Sequence, residues 1–252
     1  MATQPPDREF PATAGVPDPT TSLFRDLGPQ APAQRGRAWV GQRSRRSRIY
    51  AAARALLKSA GYEGVHMQDI AARCEISAQT IYNLVGSKAQ VLEQAAADWV
   101  EGIHTVAAAR ARELQVNTPY LMIELFWESA LSEADWVRVS SAYSSAPRDP
   151  LTRAFYRASE SALRADLDEL KRRGALRADA DPPSLARQLT ALAHVTITRW
   201  CAEPGDVAAY RRDLHSGPGA ILRASLQGEE LTRLERYMAD HRAARPVGGR
   251  AG

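Results

Sequence analysis

The sequence has little cysteine and no long hydrophobic run. Its two cysteines among 252 residues, Cys74 and Cys201, are far apart, so neither a disulfide framework nor a cysteine-rich metal site is expected. Apolar runs such as residues 121–127 are interrupted within a few positions, and proline and acidic residues occupy the start of the chain, where a signal peptide would be apolar. We therefore expect a cytoplasmic protein with no membrane association.

Motifs of catalysis and cofactor binding are also missing. The sequence has no glycine-rich phosphate loop, no His-Glu-x-x-His or paired Cys-x-x-Cys spacing, and no Gly-x-Ser-x-Gly elbow. Its five histidines, at positions 66, 104, 194, 215 and 241, lack the spacing of metal ligands. We expect no catalytic residues, no metal and no cofactor. An enzyme whose site is assembled only by the fold stays as an alternative.

Acidic residues are depleted in one segment. Residues 34–94 carry ten basic and four acidic residues, whereas residues 95–252 carry twenty-one of each and residues 1–33 carry two against four. A codon bias toward arginine would not remove the acids between Gln34 and Arg48, where there are six arginines and no Asp or Glu. This distribution favours a polyanionic partner, because each neutralised phosphate releases condensed counterions.

Periodicity divides the chain into three parts and predicts an all-α fold, since no stretch alternates like a convincing strand. Residues 1–42 are rich in Pro, Gly, Ala and Thr and are expected to form a disordered tail with a basic end. Residues 43–92 are expected to form a compact head, and residues 93–245 a larger helical domain. Prolines and periodicity also predict a helix that crosses from the head into the larger domain and six helices after it. Their ranges are about 88–113, 119–131, 133–143, 150–173, 183–202, 206–226 and 229–243.

The head contains signals for three short helices. A helical pattern begins at Ile49 and ends at Gly61, and a second helix is expected from Met67 to Cys74. A tight turn at residues 75–76 follows, and Ser77 is expected to cap a third helix that ends near residue 84. Ser87 and Gln90 have capping-box spacing and open the long fourth helix. Two short helices joined by a tight turn predict a helix-turn-helix.

Residues 45–94 resemble the DNA-binding head of the TetR family of transcriptional regulators. The resemblance rests on motifs that occur in register: Ala60-Gly61-Tyr62, Asp69-Ile70-Ala71-Ala72, Ile76-Ser77, Thr80-Ile81-Tyr82-Asn83 and Gly86-Ser87-Lys88. It implies a three-helix head followed by a helical ligand-binding and dimerisation domain. The implied function is that of a regulator, a repressor by the family's habit, released from a palindromic operator by a small molecule.

The sequence departs from the family pattern at the turn and at both ends of the helix pair. Glu75 stands where glycine is common, His66 stands where threonine is common, and Leu84 and Val85 replace an aromatic pair. These departures keep open the alternative of a helical scaffold or interaction protein with a degenerate head.

The third helix is expected to enter the major groove of double-stranded DNA. Gln79 and Asn83 are candidates for base readout, because amide side chains can pair both edge groups of adenine, and Ala78 is small enough to meet a thymine methyl. The alternative is that these are solvated polar positions. Phosphate contacts are expected from Thr80, Tyr82, Lys88, Ser77 and Gln68. A basic arm before the first helix is expected to follow the backbone or enter the minor groove, through Arg43, Arg45, Arg46 and Arg48.

The family resemblance also implies a homodimer and an effector cavity. The last two large helices would pack against their copies through Leu185, Leu189, Leu192, Thr196, Trp200, Ile221 and Leu222, although these residues equally suit the core of a monomer. Gly217, Pro218 and Gly219 are expected to interrupt the second of these helices. Candidates for lining a cavity for an unknown small molecule are His104, Glu124, Trp127, Glu128, Tyr143, Tyr156 and His194, each of which has a structural alternative.

Overall fold

The structure, a computed structural model, describes residues 37–132, 150–202 and 207–243. Within these ranges it contains nine helices and no strand beyond one isolated bridge between Leu176 and Leu226, which confirms the all-α prediction. In chain order the helices are α1 (Arg37–Gly64), α2 (Met67–Cys74), α3 (Ala78–Leu84), α4 (Lys88–Leu114), α5 (Thr118–Ser132), α6 (Pro150–Arg172), α7 (Pro182–Ala202), α8 (Val207–Ser225) and α9 (Gly228–Ala243).

Several predictions fall outside the described residues. These are most of the tail over residues 1–36, the helix at 133–143 and the candidate Tyr143. The same holds for the side chains of Arg43, Trp127, Glu128 and Trp200. In the part of the chain that is described, no helix is both long and apolar enough to span a lipid bilayer.

The first helix begins earlier than its periodicity indicated. The prediction placed a basic arm before a helix starting at Ile49, whereas α1 runs from Arg37 and includes the arginines of that arm. Arginine, glutamine and alanine are good helix formers, and extending an existing helix costs little compared with starting one. Gly61 ends the regular part of α1, as predicted, because its backbone takes a left-handed φ of 68°.

The head forms a small core around the predicted helix-turn-helix. Ile49, Leu57, Ile70 and Ile81 are fully buried there. The turn after α2 places Glu75 in the left-handed region with φ of 55°, a conformation that costs a non-glycine residue about 1 kcal/mol. The Ile76 amide donates to the Ala71 carbonyl at 3.1 Å and closes this turn.

Helix α4 connects the head to the body. Its capping box is formed as predicted, because Ser87 Oγ accepts from the Gln90 amide and Gln90 Oε1 accepts from the Ser87 amide. On the head side, Arg54 Nη1 donates to Asp98 Oδ2 at 2.8 Å and to the Ala95 carbonyl at 3.0 Å. On the body side, the Trp99 ring makes edge contacts with aromatic rings of α5 and α6, namely Phe126 and Phe155.

In the body, α5 and α6 pack against α4, and α7, α8 and α9 complete the bundle. The bounds of the described body helices differ from their predictions by at most one residue. The predicted interruption of α8 is wrong, since the helix continues through Pro218. A Cβ at Gly217 would lie 2.7 Å from Leu192 Cδ2, so the missing side chain lets α8 approach α7 closely. This packing holds α8 together despite the hydrogen bond that proline lacks.

A histidine and a carboxylate join α4 to α6 and predict a pH dependence of stability. His104 Nε2 lies 2.9 Å from Asp166 Oδ2, and this hydrogen bond raises the pKa of His104 above its usual value. A raised pKa in the folded state stabilises the protein fully below the unfolded pKa of about 6.5, and the stabilisation is lost as pH rises through the folded pKa.

We expect His104→Gln to lower the free energy of unfolding more at about pH 5 than at about pH 9. Urea unfolding of both proteins across this range measures the difference, and subtraction removes the contribution of the other histidines. Asp166→Asn should remove the same pH dependence. A wild-type minus variant difference that stays constant with pH would contradict this role of the pair.

Candidate nucleic-acid interface and cavity

Helix α3 exposes the residues predicted to read DNA. Ile81 is fully buried and anchors the helix, whereas Gln79, Tyr82 and Asn83 are exposed, with Tyr82 at 49%. Ala78 and Thr80 are partly buried. Gln79, Tyr82 and Asn83 lie three and four positions apart and so share one side of α3, which is left to solvent as an element entering a groove requires.

Ser77 caps this helix, as predicted. Its Oγ accepts from the Thr80 amide at 3.1 Å and lies 2.9 Å from Thr80 Oγ1. Such a cap stabilises a helix by about 1 kcal/mol. Ser77 and Thr80 therefore have structural partners besides any phosphate they contact.

The two amide side chains chosen for base readout lie one turn apart and bond to each other. Gln79 Nε2 donates to Asn83 Oδ1 at 3.0 Å. The bond uses one donor and one acceptor, and Gln79 Oε1 and Asn83 Nδ2 remain for another partner. Adenine presents the complementary pair in the major groove, an N6 donor and an N7 acceptor.

The arginines of α1 do not all play the same part. Arg45 and Arg46 are exposed near the start of the helix. Arg48 Nη2 donates to the Cys74 carbonyl at 2.6 Å and ties α1 to the end of α2. Sequence reasoning missed this contact, because 26 residues separate the partners and the carbonyl leaves no signature in the sequence.

The remaining head candidates lie around the turns. Lys88 Nζ donates to the Glu63 carbonyl at 3.3 Å and lies 4.8 Å from the centroid of the Tyr62 ring. Gln68 is exposed in the first turn of α2. His66 precedes α2 and makes no side-chain cap, in line with its departure from the family pattern.

A small cavity lies in the body between α5, α6 and α7. It measures about 30 Å³, room for about one water molecule. Two predicted ligand residues meet there, Tyr156 and His194, with ring centroids 4.5 Å apart. Burial lowers the pKa of His194 and raises that of Tyr156, so both are neutral near pH 7. The other lining residues were not predicted: Met122, Ile123, Phe126, Phe155, Ser159, Leu163, Thr190 and Ala193.

The other described ligand candidates lie outside this cavity. His104 pairs with Asp166, and Glu124 Oε2 accepts from the Tyr237 hydroxyl at 2.6 Å. Glu124 also lies 3.7 Å from His215 Nε2. The contacts of Glu124 with Tyr237 and His215 hold α5 against α9 and α8. Both His104 and Glu124 therefore have structural partners and do not lie on the cavity wall.

Most residues proposed for the dimer face are buried within the protomer. Leu185, Leu189, Thr196 and Leu222 belong to its own core, which is the alternative that the sequence left open. Leu192 and Ile221 are partly buried. The exposed surface of the same two helices carries Ala191, Val195, Ala220 and Ala224 instead. Periodicity alone could not separate these faces, because both α7 and α8 are apolar on more than one side.

An exposed recognition helix on a compact three-helix head, followed by a helical body, defines a helix-turn-helix DNA-binding protein. The family model described as bacterial regulatory proteins, tetR family, matches residues 49–95. Residues 49–95 therefore form a DNA-binding domain of the kind found in TetR-family transcriptional regulators.

Solved structures show that the likeness of fold extends beyond the head. A protein of Syntrophomonas wolfei assigned to the TetR family is 15% identical, with a TM-score of 0.56 over 71% of this chain and 95% of that one. The fatty acid degradation regulator FadR of Bacillus halodurans is 15% identical, with a TM-score of 0.53 over 69% and 96%. A TetR-family regulator of Pectobacterium atrosepticum is 20% identical, with a TM-score of 0.51 over 77% and 99%. No curated protein matches the chain.

Proposed function

We propose that this regulator is a dimeric repressor that binds a palindromic operator in the bacterial cytoplasm and leaves it when a small apolar molecule enters the body. The observation that carries the proposal is the exposed face of α3, anchored by the fully buried Ile81. The palindrome, the dimer and the release each have a separate test below.

Two sets of head residues have different roles in DNA binding. Gln79 and Asn83 read a base edge through the acceptor and donor that their mutual bond leaves over. Arg45 and Arg46 are exposed and neutralise phosphates, which gives affinity without sequence information. Arg48 acts mainly through the Cys74 carbonyl.

We expect Gln79→Ala to relax the preference at one base pair of each half-site, at a cost of about 1–3 kcal/mol in discrimination. Arg45→Gln should instead weaken binding to all sequences and reduce the salt slope by about one for each subunit, which is about two for the dimer. Selection of random duplexes with the full chain, followed by fluorescence anisotropy at several salt concentrations, measures both effects.

The matched control for these arginines is Arg73→Gln, since Arg73 is exposed on α2 outside the proposed contacts. A wild-type protein that enriches no palindrome would reject the operator proposal and favour the helical scaffold as the alternative.

Dimerisation is supported by the exposed surface of α7. Val195 is 59% exposed, more than the other exposed large apolar residues that the structure describes, and Ala191 lies one turn before it on the same face. The neighbouring α8 presents the small residues Ala220 and Ala224 to solvent. Small and apolar side chains allow helices of two copies to approach closely around a two-fold axis.

We expect Val195→Glu to shift the protein from dimer to monomer, because it places a charge in an apolar interface. Light scattering after size exclusion measures the mass, and the variant should lose the tight binding that two linked half-sites provide. Leu114→Glu is the control, since Leu114 is 48% exposed at the end of α4. An unchanged mass for Val195→Glu would place the interface elsewhere.

The cavity indicates the chemistry of the effector. Its walls are largely apolar, and its polar groups, Tyr156, His194, Ser159 and Thr190, carry no charge near neutral pH. The buried Thr190 hydroxyl has no hydrogen-bond partner in the described protein. An uncharged apolar molecule with one or two hydrogen-bonding groups fits this lining.

The small size of the cavity provides a route for coupling. A volume of about 30 Å³ must grow toward the roughly 300 Å³ of ordinary ligand pockets before an effector fits. Expansion must displace α5 and α6, and both contact α4 through Phe126 and Phe155 around Trp99. Since α4 also holds the head, an effector that binds only the expanded body shifts the head away from its DNA-binding position.

We expect Ala193→Leu to fill the cavity and yield a repressor that still binds its operator but no longer responds to effector. Operator release is measured by anisotropy while a library of uncharged apolar compounds is titrated. Ala165→Leu, at an exposed position of α6, is the matched control. Release of the Ala193→Leu variant at wild-type concentrations, or no release of the wild type by any compound, would contradict an effector in this cavity.

A further inference from the structure

A second and larger cleft lies at the end of the body farthest from the head. It has a volume of about 300 Å³ and is formed by the last turn of α4, the start of α5, and parts of α6 and α9. Arg112 on its wall follows Lys88 by 24 positions of one continuous helix, about 36 Å along its axis. The cleft shares no residue with the cavity described above.

Asn117 on the cleft wall has an unsatisfied donor. The residue is only 4% exposed, and its Oδ1 accepts from the Tyr120 amide at 3.0 Å, which caps α5. The cap fixes which side-chain atom is oxygen and leaves Nδ2 as a buried donor that has no hydrogen-bond partner in the described protein. A buried donor without an acceptor costs about 1–3 kcal/mol, so an acceptor supplied by a ligand is favoured.

Two features near this donor favour an anion. Asn117 immediately precedes α5, whose N-terminal turn contains no acidic side chain and carries the positive end of the helix dipole. Arg112 lies in the same cleft, where its Nε donates to the Ala108 carbonyl of its own helix at 3.1 Å. Its two terminal nitrogens remain available to a bound anion.

The cleft also contains three carboxylates, and each already has a partner within the protein. Asp166 bonds to His104, Glu169 pairs with Arg172, and Glu230 lies 3.3 Å from an Arg173 nitrogen and 3.6 Å from an Arg233 nitrogen. Because these carboxylates are already engaged by His104 or by arginines, the groups left over for a ligand are hydrogen-bond donors.

We propose that this cleft binds a small organic anion through a carboxylate or phosphate group. The anionic group lies beside the start of α5, where it accepts from the Arg112 guanidinium and, after a small shift of the side chains that cover it, from the buried Asn117 Nδ2. The rest of the molecule lies against the apolar side chains of Val116, Pro119 and Leu170. This site differs from the effector cavity in place and in charge preference, and it does not depend on that cavity binding anything.

Titration calorimetry of the full chain with sodium succinate and with sodium phosphate, each against sodium chloride of equal ionic strength, tests the proposal. We expect saturable binding of at least one of the two anions. A response to succinate alone would identify a carboxylate site, and a response to phosphate alone a phosphate site.

Asn117→Asp is the decisive variant. Aspartate keeps the cap oxygen and the size of the side chain but replaces the free donor with an acceptor, so α5 stays capped while anion affinity falls about tenfold or more. Arg112→Gln should also weaken binding. Arg110→Gln is the matched control, because Arg110 is on the same helix and outside the cleft.

Circular dichroism melting verifies that the variants fold. Absence of saturable binding of both anions to the wild type would overturn the proposal, as would equal affinity of a folded Asn117→Asp protein.

Discussion

The structure depends on helix α4, which packs against the head at its start and against the body along the rest of its length. Helix α4 is joined to the head by the hydrogen bonds from Arg54 to Asp98 and to the Ala95 carbonyl. Trp99, which follows Asp98 on the same helix, packs against aromatic rings of the body. A continuous helix does not bend easily, because each turn is held by its own backbone hydrogen bonds. In the mechanism we propose, a movement of the body helices around Trp99 would therefore be transmitted to the head through α4.

The body separates neutral from charged chemistry, and burial explains the separation. Near the middle of the bundle, desolvation lowers the pKa of His194 and raises that of Tyr156, which leaves neutral groups among apolar walls. At the distal end, exposed helix termini and arginines share water with the cleft, so charges persist there in compensated pairs. The two pockets of this bundle thus differ in the charge of the side chains that line them.

The head tolerates its departures from the family pattern because other contacts hold the same elements. Glu75 takes the left-handed backbone that glycine takes more easily, yet the Ile76 amide still closes the turn on Ala71. Arg48 adds a hydrogen bond to the Cys74 carbonyl just before that turn. His66 provides no cap for α2, but Met67 and Ile70 bury the first turn of the helix in the core. The exposed face of α3 is consequently kept in place.

Local features were determined by the sequence itself. The caps at Ser77 and Ser87, the end of α1 at Gly61 and the limits of the body helices depend on residues three or four positions apart, and these could be read directly. Only the tertiary structure decided which apolar face of α7 is core, that Pro218 lies within a helix, and which side chains meet in the cavity and the distal cleft. Those outcomes depend on how distant helices share buried surface, and the free energy of that packing is not encoded in any short window of residues.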